Sequence, residues 1–153
     1  MVTLEKGDAM NKVIRLVMSC LILGVLATAA SAQMPQELKG SWSLNAPATE
    51  KYMKTSPKWS GMDERYLRIA LNKMAQMRYM FAEDAIIVFA QGKKQTIPVS
   101  LKKSEPRKYT FEGKVLNQAF TLTVSYVDKT TINIRSSLTD ETDYLLWSRK
   151  YQY

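Results

Sequence analysis

The sequence predicts a mainly β domain with one long helix, an α+β chain. Its antiparallel meander forms a small barrel or half-barrel packed against that helix. Three observations predict this. Apolar and polar residues alternate through most of residues 96–134, the period of strands with one buried face. The alternating segments are separated by short polar turns, as hairpin-connected neighbours require. One stretch, residues 62–80, repeats at helical spacing instead.

Residues 1–32 have the layout of a cleavable signal peptide, leaving residues 33–153 as the working domain. Lys12 and Arg15 precede an apolar run from Leu16 to Ala27, and Ala30-Ser31-Ala32 offers small residues for cleavage. Met10 is an alternative start to Met1 that gives a cleaner basic segment. The apolar run is too short for a comfortable span of a bilayer core of about 30 Å. Cys20 lies early in that run rather than at its end, which disfavours lipidation. The expected location is therefore periplasmic or secreted. The only cysteine leaves with the leader, so the domain holds together by packing alone.

Along the domain, Gln33 to Lys39 reads as a short polar leader. Gly40 to Leu44 is a first strand, ended by Asn45 and Pro47. A polar connector follows from Ala48 to Gly61, with a helical turn around Glu50 to Lys54. Met62 to Met80 is the long helix, with Asp63 near its N-cap and Glu64 at the positive end of its dipole. Leu67, Ala70, Leu71, Met74, Met77 and Phe81 recur on one side of it. Ala85 to Gln91 is an apolar strand closed by a Gly92-Lys93-Lys94 turn. Ile97, Val99 and Leu101 alternate with Thr96, Pro98 and Ser100, and Tyr109 and Phe111 follow. Phe120, Leu122, Val124 and Tyr126 form the clearest half-buried strand, Ile132 and Ile134 continue it, and Tyr144 to Arg149 closes the domain. Pro98 lacks the N–H that a central strand uses, so it predicts an edge, seam or bulge and argues for incomplete closure.

Gly40-Ser41-Trp42 and Thr142-Asp143-Tyr144 resemble the G-x-W and T-D-Y signatures of lipocalins, and more closely the small exported bacterial lipocalin-like (calycin-type) domains. The resemblance implies a ligand-binding barrel closed at one end by Trp42, with Arg149 on the last strand stacked over the indole. The departures are a helical insertion after the first strand, the crowding of Tyr144 and Arg149 onto one strand, and the lack of a C-terminal helix.

Histidine is absent from the whole chain, and without a domain cysteine the usual nucleophilic dyads and zinc sites are ruled out. Asp63-Glu64, Glu83-Asp84 and the Asp140, Glu141, Asp143 cluster sit at a helix start or in turns, where acids occur for local reasons. The last lacks the ligand order of a calcium loop. The expectation is a binder and not an enzyme, with no cofactor. Met74, Met77 and Met80, with Met53 and Met62 upstream, raise Cu(I) handling as a remote alternative, although methionines on a helix facing a barrel are first of all core or pliable pocket lining.

The net charge is +8, and the leader's three cations and two carboxylates leave about +7 on the domain. This favours an anionic envelope surface or acidic protein partner, though lysines also keep exported proteins soluble. Aromatics interleave with cations from Tyr144 through Trp147, Tyr151 and Tyr153, a pattern that single-stranded nucleic acid can use, but an exported protein rarely meets that partner. Residues 97–134 place Thr, Ser, Lys and Arg at outward positions, which excludes a lipid-facing barrel.

The leading functional expectation is a binding module for a small apolar or amphipathic ligand. Its pocket candidates are Ile97, Val99 and Leu101 on one strand and Phe111 on the next. Phe120, Leu122 and Val124 follow, then Ile132 and Ile134, with Leu71, Met74 and Met77 facing them from the helix. The alternative is a fully packed barrel that acts as an interaction or inhibitor protein through its basic exterior.

Overall fold

The structure, a computed structural model, describes residues 33–59, 61–139 and 143–149. The expected signal peptide, most of the Asp140–Asp143 cluster and the terminal Tyr151 and Tyr153 lie outside these residues. Eight antiparallel strands form a closed barrel in sequence order. They are β1 (Gly40–Leu44), β2 (Arg78–Phe81), β3 (Ala85–Ala90), β4 (Lys93–Glu105), β5 (Lys108–Val115), β6 (Gln118–Tyr126), β7 (Thr131–Ser136) and β8 (Leu146–Arg149). Closure comes from β1, which pairs with β2 on one side and β8 on the other. The half-barrel expectation gives way to full closure, which leaves no open sheet edge.

Between β1 and β2 stand two helices rather than one: α1 (Ala46–Thr55) and α2 (Glu64–Met74). The connector expected to hold one helical turn starts α1 immediately after β1. Asn45, which ends the strand, caps the helix, its Oδ1 accepting from Ala48 N at 3.0 Å. A long-range lock holds the first turn: Thr49 is fully buried, and its Oγ1 accepts from Leu146 N at 3.0 Å. Asp63 caps α2 through Arg65 N at 2.8 Å, with Glu64 in the first turn and Lys73 in the last.

The long helix expected over 62–80 is corrected at its end. It stops at Met74, Met77 lies in the turn that follows, and Arg78–Phe81 is strand β2. The reason is tertiary. Closing the barrel needs a strand between β1 and β3, and Tyr79 and Phe81 alternate inward there while pairing with Trp42, Gly40, Val88 and Ile86.

Pro98 does not interrupt closure, contrary to expectation. Val99 N donates to Asp84 O at 3.1 Å, which puts the missing Pro98 N–H on the side facing β5, and the β5 ladder begins only at Val99–Gly113. The irregularity lies further on, where the register shifts between Leu101 and Lys103. Such a bulge bends a strand, and β4 pairs with β3 along its first half and with β5 along its second. The hairpin turn is Gln91-Gly92 (φ 49° and 72°), one residue earlier than expected, so Lys93 and Lys94 belong to β4.

The core is one apolar cluster. It takes in the inward residues of all eight strands, Leu67, Leu71 and Met74 of α2, and Met34 and Leu38 of the leader.

Candidate functional site

The two ends of the barrel are built differently. At one end lie the β2–β3, β4–β5 and β6–β7 turns, the start of β1 and the end of β8. Here the leader, expected to be merely polar, folds across the opening. Met34 and Leu38 bury their side chains, four residues apart on one face of a short turn. Trp42 Nε1 donates to Leu38 O at 2.9 Å. Tyr126 Oη donates to Glu37 O at 2.7 Å, Arg149 donates to the same carbonyl, and Tyr109 Oη donates to the Glu37 carboxylate. The Arg149 guanidinium lies 5.1 Å from the centre of the Trp42 ring, within cation–π range. Trp42 itself has no exposed surface. Burial, reinforced by the Glu37 carboxylate, pushes the Tyr109 hydroxyl up to about 12. Burial also raises Tyr126, partly offset by Arg149.

The opposite end carries the β3–β4 and β5–β6 turns, the exit of β1 and the entry of β2. The helix pair stands here. Thr49 and Asn45 attach α1 to β8, Asn45 Nδ2 donating to Ser148 Oγ at 2.8 Å. Lys54 bridges Glu50 and Glu64, and Arg68 reaches the same two carboxylates, so α1 and α2 are joined on their solvent side. Exposed pairs of this kind contribute little. What holds α2 down is the buried face of Leu67, Ala70, Leu71 and Met74.

The structure brings every pocket candidate into the single core cluster. Val99, Phe111, Phe120, Leu122, Val124, Ile132 and Ile134 are buried; Ile97 and Leu101 are half-buried against them; Leu71, Met74 and Met77 join from the helix end. Sequence reasoning missed Tyr79 and Phe81, which were counted as helix or omitted, and Ile86 and Val88, whose continuous apolar run hides the period of two. Tyr79 packs edge-on to Trp147 at 4.7 Å. Trp147 is almost fully buried and Tyr144 packs edge-on to Trp59 at 5.6 Å, so the C-terminal aromatics do not form one exposed stacking platform. Tyr144 precedes β8 instead of sharing that strand with Arg149.

The methionine spacing does not produce a helical stripe. Met74 ends α2, Met77 sits in the turn, and Met80 lies on β2 opposite Ser41 and Ile87, on the outer face. Among the described residues no group of three or more His, Cys, Asp or Glu is arranged to hold a metal ion, and no helix is long and apolar enough to cross a membrane. Comparison with protein-family models, curated proteins and solved structures gives no match.

Proposed function

We propose that the chain is an exported lipocalin-like binding module that takes a small apolar or amphipathic ligand into the helix-end half of its barrel, with α2 as the lid. It binds and does not catalyse. The observation that carries this reading is the asymmetry between the ends. One is locked by four hydrogen bonds and a stacked guanidinium around Glu37 and Trp42. The other is covered by a helix whose buried face is apolar. Apolar contacts lack direction, so a helix held by them moves aside at smaller cost than a hydrogen-bonded plug. Met74 and Met77 at the lid's end are the pliable side chains that a variable apolar guest requires.

One observation favours the packed-barrel reading, in which the protein acts on an anionic surface or partner protein through its exterior. The Phe120 ring lies over Gly113, so close that a Cβ there would stand 2.7 Å from it. Native mass spectrometry after gentle purification, followed by titration with palmitate, separates the two readings. A co-purifying lipid-sized adduct, or saturable palmitate binding at one equivalent, is the expected result. A ligand-free protein that ignores palmitate ends the carrier reading.

A further inference from the structure

The outer face of the barrel carries a second concave feature at the helix end. Ser43, Arg78, Phe89 and Lys94 are direct neighbours across β1, β2, β3 and β4, a transverse row on one face of the sheet. The Ala75–Met77 turn rises on one side of this row and the Gln91–Gly92 hairpin on the other. Together they enclose a cleft of about 440 Å³, within the size range of small-molecule sites.

Its chemistry is one-sided. Arg78, Lys93 and Lys94 line it with the neutral donors Ser43 and Gln76, and no carboxylate does. Lys39, Lys54, Arg68, Lys102 and Lys103 all have carboxylate partners. Among the described residues the three cleft cations have none. The Arg78 guanidinium is positioned by stacking on Phe89, 4.2 Å from the ring centre, and its Nε is buried without a hydrogen-bond partner. A buried donor left unmade is costly, more so when charged. The carbonyls at the end of α2 do not oppose an anion strongly, because Asn72 O and Met74 O already accept from Ala75 N and Met77 N.

We infer that this cleft is a binding site for a phosphate group, separate from the barrel interior and independent of whether that interior holds a guest. Three cations exceed what one carboxylate neutralises. A phosphate monoester carries about −1.5 to −2 and three strong acceptor oxygens, which suit a guanidinium fork and two ammonium groups. Ala75, Met77 and Ala90 offer an apolar wall for the group the phosphate is attached to. The source is a free phosphate ester or a lipid headgroup, and both present the same chemistry.

Calorimetric titration with inorganic phosphate and glycerol 3-phosphate tests the first source. Co-sedimentation with phosphatidylcholine vesicles, with and without phosphatidic acid, tests the second. The Lys93→Gln/Lys94→Gln variant should weaken binding about tenfold, the loss of two charge-assisted contacts. Lys108→Gln/Lys114→Gln, which removes the same charge from exposed positions of β5, should leave it within about twofold. Soluble phosphate binding with this pattern assigns a free ester. Binding only to phosphatidic acid vesicles, with the same pattern, assigns a headgroup. Absence of binding in both arms, or equal weakening by the two double variants, overturns the site. Palmitate binding reads the interior and stays a separate result.

Discussion

The leader end and the helix end of the barrel solve one problem by opposite means. Both must cover the apolar interior of a closed eight-stranded barrel. The leader end does so with directional bonds that converge on Glu37 and Trp42. The helix end does so with the apolar stripe of α2 and fastens the helix pair to β8 only through α1. Directional bonds specify one arrangement, while apolar contact tolerates several. The difference makes one end a floor and the other the natural place for movement.

The largest effect expected from breaking this contrast is at the floor. Trp42→Ala removes a fully buried indole, its bond to Leu38 O and the surface on which Arg149 rests. The expected loss is about 3–5 kcal/mol, read by urea denaturation. A loss below about 1 kcal/mol would mean that the floor is not what holds the barrel together.

A smaller effect follows from Tyr109→Phe, about 1–2 kcal/mol near neutral pH for a bond to a carboxylate. Its pH dependence is the more telling readout. The folded protein keeps the Tyr109 proton up to about 12, above the ordinary value of 10.0. The unfolded chain releases it first, so this stability is fully present below the unfolded value and is lost as pH rises through the folded one. Tyr126 shifts in the same direction. Denaturation across that alkaline window should show a steep fall in the parent protein and a shallower one in the variant. Equal slopes would remove Tyr109 from the latch.

The smallest effect is expected at the helix end. Gly113→Ala places a Cβ 2.7 Å from the far edge of the Phe120 ring and 3.0 Å from Pro98 O. Where the interior leaves room for the ring to swing, the cost is offset by the gain of about 0.5–1 kcal/mol that Ala brings over Gly in a strand. The net change should then be close to zero in a melting curve. Destabilisation of about 2–3 kcal/mol is the signature of overpacking and would favour the filled barrel.

Much of the strand layout was legible. Gly40–Leu44 is bounded as the sequence indicates, and Phe120–Tyr126 alternates because its inward residues meet Phe111, Val124's partner Tyr109 and Ile132 across two ladders. Asp63 and the buried face of α2 were also readable, since capping and helical spacing are local signals. Strand β2 was not, because Met74, Met77 and Met80 continue a helical spacing by coincidence, and the demand for a strand there comes from β1 and β3. Helix α1 was underestimated for a similar reason: its anchor, Thr49 on Leu146, joins residues 97 positions apart. The phosphate cleft left no sequence motif, since its row of residues is drawn from four strands.

By itself the sequence determined the periodicities, the caps and turns, the apolar faces and the excess of positive charge, because each is a property of neighbours along the chain. Tertiary structure decided where the first helix run ends, that Pro98 is harmless, that the leader becomes a floor and that three cations share one cleft. Those outcomes depend on closing eight strands into a ring, and closure is a relation between residues far apart in the chain.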